Sequence, residues 1–173
     1  MMLTAGQMRT LPDFFAEIAD PRRAQGRRQP LPAVLAIATA ALSAFSRNDL
    51  DLRLPALFMA PDGRAPMVGA LVHLDRERLR FVTEGLDMPT AQIELEAYAV
   101  DAQGVIVGQD RQALRVRQTA ADPLDGEEKV GFLYRLDVPV EKPGAYSLRL
   151  AVRDRGADTI GSASQFVIVP DLK

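Results

Sequence analysis

From residue 49 onward the chain changes rhythm, and this change limits its possible folds more than any other feature. Apolar and polar residues alternate with a period of two, which is the period of a strand with one buried face. In "KVGFLYRLDV" (129–138), Val130, Phe132, Tyr134, Leu136 and Val138 share one side, with Arg135 and Asp137 on the other. In "AYSLRLAVRD" (145–154), Tyr146, Leu148, Leu150 and Val152 face one way, and Arg149 and Arg153 face the opposite way. In "AQIELEAYAV" (91–100), Ile93, Leu95 and Ala97 alternate with Gln92, Glu94 and Glu96. Strands with one apolar and one wet face belong to antiparallel sheets.

Turn chemistry separates these stretches. Asp101-Ala-Gln-Gly104 reads as a tight hairpin turn, in which Gly104 takes the positive φ such a turn demands. Pro61-Asp-Gly63, Lys142-Pro-Gly144 and Arg155-Gly156 mark further turns. Eight extended segments result: 51–60, 66–75, 78–83, 91–101, 104–118, 128–139, 145–154 and 159–169. Short strands with frequent turns predict a mainly β fold, an immunoglobulin-like antiparallel β-sandwich preceded by a short two-helix N-terminal segment. Tyr146 follows the Pro143-Gly144 turn and opens an alternating strand. It therefore resembles the tyrosine corner of such folds, with Gly144 as part of the corner. With no Trp and no Cys, the antibody type is excluded.

The first 48 residues read differently. Thr10 caps a short helix with Pro12 in its first turn and Phe14, Phe15 and Ile18 on its apolar face. Asp20-Pro21 ends it. The run "DPRRAQGRRQP" is a loop holding Arg22, Arg23, Arg27 and Arg28, bounded by Gly26 and Pro30. A second helix follows in "PAVLAIATAALSAF", where Val34, Leu35, Ala38, Leu42 and Phe45 fall at helical spacing. The apolar run is about fifteen residues, short of the roughly twenty a membrane span needs. It has the order of a secretory signal, but its basic region starts far into the chain. The chain is cytoplasmic if this segment is a folded leader, and exported if it acts as a signal.

"LPDFFAEIADPRRAQGRRQPLPAVLAIATAAL", about residues 10–43, resembles the N-terminal segment that precedes the catalytic domain in DDE transposases of the H-repeat type. The phenylalanine pair, the Asp-Pro-Arg, the Gly-Arg-Arg and the Leu-to-Leu helix stand in that family's order. The resemblance implies an accessory of DNA transposition, with arginines gripping phosphates without reading sequence. It ends near Ser43, ahead of the metal-holding catalytic domain.

"PGAYSLRLAVRDRGADTIGSASQFVIVPDL" resembles the closing stretch of the VWFA-related domain proteins of acidobacteria. "PMVGALVHLDRERLRFV" and "IELEAYAVDAQGVIVGQDRQALRVR" fit the order of the same region, so this match covers about residues 50–173. The upstream von Willebrand A domain of that family holds metal through Asp-x-Ser-x-Ser, and no such motif occurs here. The accessory sandwich is what the resemblance implies. Two parts with separate histories are expected, a truncated helical leader over 1–48 and a β-sandwich domain over 49–173.

Charge divides at the same point. Residues 1–48 hold six arginines against three acidic residues, a balance of +3, and the remainder holds 15 basic and 20 acidic residues, a balance of −5. The lack of cysteine excludes disulfides and thiolate chemistry, and the single histidine argues against a Ser-His-Asp arrangement and a multi-histidine metal site. His73 in "MVGALVHLD" is expected to point to solvent or a sheet edge if Val68, Ala70, Val72 and Leu74 face inward. Asp122, Asp125, Glu127 and Glu128 form an acidic loop whose spacing matches no EF-hand, so it reads as a solvated hairpin loop. Ser162 and Ser164 are ordinary strand residues. No catalytic, cofactor-binding or metal residue is assigned, and no small-molecule substrate is expected. The function expected is a non-catalytic structural or protein-interaction module with an unknown protein partner. The alternative is a truncated transposase-associated protein binding DNA weakly and non-specifically through Arg22, Arg23, Arg27 and Arg28.

Overall fold

A computed structural model describes residues 31–43, 46–60, 66–83, 85, 88–118 and 131–171. One helix, α1 (Leu31–Leu42), precedes β1 (Leu52–Arg53), β2 (Ala56–Met59), β3 (Met67–Asp75), a 3-10 turn (Arg76–Arg78), β4 (Thr90–Asp101), β5 (Ile106–Arg117), β6 (Gly131–Pro139), β7 (Gly144–Asp154) and β8 (Thr159–Val169). The strands build two antiparallel sheets. One runs β5-β4-β7-β8. In the other, β6 pairs along the whole of β3, so β1 and β2 share the opposite side of β3.

The alternating residues named above supply the core between the sheets. Val68, Ala70, Val72 and Leu74 of β3 meet Ile93, Leu95, Ala97 and Ala99 of β4, Leu136 and Val138 of β6, and Leu148, Leu150 and Val152 of β7. All are buried. At one seam β8 runs beside β1 and β2, and at the other β5 runs beside β6. The protein is thus mainly β, a two-sheet sandwich whose inward rows follow the two-residue rhythm.

Three local expectations change. Segment 51–60 is two strands, because Pro55 has no N–H for the ladder and its carbonyl instead accepts from Leu71 N at 3.0 Å. Segment 78–83 is not a strand. The Asp75 carboxylate accepts from Glu77 N at 2.9 Å and winds the chain into the 3-10 turn, after which only Val82 bridges, to Thr90. Of the two helices expected ahead of the sandwich, α1 is described. The helix over 10–20, the loop with Arg22, Arg23, Arg27 and Arg28, Val130 and the acidic loop 122–128 lie outside the described residues.

Helix α1 lies on the outer face of the four-stranded sheet, against β4, β7 and β8. The side that meets the sheet is Ala33, Ala36, Ile37, Ala40 and Ala41, all buried, rather than the Val34, Leu35, Ala38 and Leu42 stripe. Small residues let the helix backbone approach the sheet closely, and Ile37 packs with Ala151, Ile160 and Tyr98. The larger residues are left on the outer side of the helix, where Leu42 is exposed. Arg149 Nη1 donates to the Leu42 carbonyl at 2.8 Å and so caps the end of the helix from the sheet below.

Candidate functional site

The outer face of the four-stranded sheet gathers the ionisable groups. On β4, residues 94, 96 and 98 alternate with the core and so share this face. Strand register sets Glu96 between Arg111 and Ala151, and Glu94 between Ala113 and Arg153. Glu94 Oε2 meets Arg153 Nη1 at 3.2 Å, and its Oε1 meets Arg155 Nε at 3.3 Å. Arg153 also grips Asp158 through Nε at 2.8 Å. Glu96 pairs with Arg111 and accepts from the Tyr98 hydroxyl at 2.9 Å.

Both glutamates were expected on a wet face. Instead each is 2% exposed, on the face of the sheet where Tyr98 packs with α1. Burial pushes the Glu96 carboxyl above its ordinary range, with the Tyr98 bond and Arg111 opposing that rise. The Tyr98 hydroxyl, buried and donating to Glu96, is pushed up to about 12. The clue in the sequence was the matching of Glu94 and Glu96 by arginines at 111 and 153 on neighbouring strands and at 155 in the turn after β7. The matching becomes visible only once register is known. Chemically, these carboxylates are held as ion-pair partners rather than as a free acid and base.

Among the described residues, one cleft opens at these groups and another at the far end of β4. One, of about 370 Å³, is lined by Glu96, Tyr98, Gln109, Asp110 and Arg111. The other, of about 430 Å³, lies between the β4–β5 and β6–β7 turns and includes Asp101, Lys142 and Tyr146. Neither sets a nucleophile beside a base. The Asp101 carboxylate already accepts from Gln103 N and Val105 N, closing the hairpin turn in which Gly104 has φ +83°. The Tyr146 hydroxyl donates to the Lys142 carbonyl at 2.6 Å, and Gly144, at φ +155°, passes over the Tyr146 ring.

The remaining candidates fall elsewhere. His73 is half-buried on the outer face of the three-row sheet, opposite Arg53 and Leu133, with its imidazole where a side chain at 131 would stand. Ser162 does more than fill a strand, since its Oγ accepts from Arg47 N at 2.9 Å and fastens the chain after α1 to β8. Ser164 is exposed. Among the described residues, no three His, Asp or Glu side chains are grouped to hold a metal ion. Nor is any helix among them long and apolar enough to cross a membrane.

Large apolar side chains do stand out. Leu133 is 61% exposed and Leu57 57% on the three-row sheet, and Phe166 is 63% and Ile168 68% on β8. They were not singled out from the sequence. The signal for the β8 pair was a strand of eleven residues, Thr159–Val169, with no charge in it.

No protein-family model matches the chain, and no curated protein matches it. Among solved structures it is similar to a β-glucuronidase of Bacteroides uniformis at 11% identity and a TM-score of 0.43, covering 69% of this chain and 13% of that one. It is also similar to the putative ApaA protein of Bordetella pertussis at 12% identity and a TM-score of 0.39, covering 71% and 95%. The CARDB domain of the PF1109 protein of Pyrococcus furiosus, solved with di-metal ions, follows at 10% identity and a TM-score of 0.31, covering 73% and 96%.

Proposed function

We propose that this chain is a non-catalytic protein-interaction module, an immunoglobulin-like sandwich of the kind that closes VWFA-related proteins. One observation carries the reading. The buried carboxylates Glu94, Glu96 and Asp154 are all held by partners within the fold, while Leu57, Leu133, Phe166 and Ile168 stand more than half exposed. Exposed apolar groups beside fully engaged polar ones suit recognition rather than bond chemistry.

The immunoglobulin comparison is supported by strand order and by the corner. Strand β7 lies between β4 and β8, as strand F lies between C and G in that arrangement, and Tyr146 opens it with its hydroxyl bonded four residues back. The resemblance of residues 143–172 to the end of VWFA-related proteins supports the family assignment.

Electrophoretic mobility of duplex DNA with the full chain, at several salt concentrations, tests the module against its DNA-binding alternative. The module reading expects no retardation near physiological salt. Retardation with a steep salt slope, abolished when Arg22, Arg23, Arg27 and Arg28 become Ala, would replace it with the transposase-associated reading.

A further inference from the structure

We infer that β8 pairs edge to edge with β8 of a second copy of this chain, joining two four-stranded sheets into one of eight strands. The inference rests on the interaction-module reading and names its partner.

Direction comes first. Ser162 N donates to the Arg47 carbonyl at 2.8 Å, so the main chain of Ser162 faces away from β7. Main-chain groups two residues apart on a strand face the same side. Ser164, Phe166 and Ile168 therefore aim their N–H and C=O groups at the outer edge of β8. The segment paired to this edge ends at Arg47 and Asn48. Beyond it β1 and β2 run beside β8 at the seam between the sheets without pairing with it, and among the described residues β8 pairs only with β7. Among the described residues, the Phe166 carbonyl accepts from the side-chain amide of its neighbour Gln165, at 3.4 Å.

Charge then selects the partner. Natural sheets guard their edges with charged side chains. Strand β5, the other edge of the same sheet, does so with Asp110, Arg111, Arg115 and Arg117. Strand β8 has no charged residue over its full length. Two-fold pairing of β5 would crowd arginines against arginines, whereas two-fold pairing of β8 opposes no like charges. An antiparallel register centred on Phe166 sets it opposite Phe166 of the second copy and each Ser164 opposite an Ile168. Val167 and Val169 stay in the core, so Phe166 and Ile168 meet their counterparts on the outer face.

The absence of native cysteine makes a direct test available. In a hydrogen-bonded antiparallel pair the facing Cα atoms lie about 5.5 Å apart, within disulfide reach. Phe166→Cys in the full chain should oxidise to a covalent dimer at least tenfold faster than Ser164→Cys, whose two copies would sit about 14 Å apart, or Leu133→Cys on the other sheet. Sedimentation velocity gives a second measure, with wild type dimerising below about 100 µM and Phe166→Lys/Ile168→Lys remaining monomeric with unchanged thermal unfolding. A wild type that stays monomeric, or Leu133→Cys linking as fast as Phe166→Cys, overturns the β8 pairing. Neither result touches the module reading, which the DNA titration decides.

Discussion

The Asp154 carboxylate, fully buried at the end of β7, accepts a hydrogen bond from the main-chain N–H of Arg80 at 2.5 Å, across 74 residues of sequence. Its other oxygen takes Gly156 N at 2.7 Å. One side chain thus shapes the β7–β8 turn and holds the segment after the 3-10 turn against it. Asp154→Ala leaves both N–H groups without that acceptor in a site closed to water. The expected loss is about 2–4 kcal/mol, read as a lower urea midpoint at unchanged m-value. Asp154→Asn should recover little, because its amide N–H₂ faces a donor.

Tyr146→Phe isolates the corner. The ring stays in the core, and only the bond to the Lys142 carbonyl is lost. Stability should fall by about 1 kcal/mol, measured by denaturant titration. An unchanged midpoint would show that the corner contributes nothing.

Glu96 makes stability depend on pH. Desolvation raises its folded-state pKa above the ordinary 4.5, so the folded protein holds this proton more tightly than the unfolded chain does. The resulting stability is full below the unfolded pKa and is lost as pH rises through the folded one. Glu96→Gln removes the titration and can still accept from Tyr98. Relative to wild type, the variant should gain stability as pH rises above about 4.5, measured by urea midpoints across pH. A difference that stays constant with pH refutes the claim.

Ile37 tests the docking of α1. It is fully buried between helix and sheet, and Ile37→Ala opens a cavity there. Amides of α1 should exchange with solvent at least about tenfold faster, while those of β4 and β7 keep their protection. Equal loosening of all three would mean that helix and sandwich open as one unit.

The inward rows of β3, β4, β6 and β7 were legible in the sequence, because a period of two with one apolar side fits only a half-buried strand. The turn at Gly104 was legible for a similar local reason. The segment 78–83 was not, since its conformation follows from the Asp75 carboxylate and from a bond to Asp154 more than seventy residues away. The burial of the β4 glutamates was not legible, because it comes with arginines at 111, 153 and 155 that only the register brings alongside them. The face of α1 was misread because closeness of approach, rather than size of side chain, decided which side met the sheet.

By itself the sequence determined that residues beyond 49 alternate into antiparallel strands, since side-chain periodicity and turn residues act over a few positions. Only the tertiary structure decided which strands lie at the edges, which carboxylates are shut away from water and which apolar side chains are left outside. Those outcomes depend on register and packing between segments far apart in the chain, and the unguarded edge of β8 is one of them.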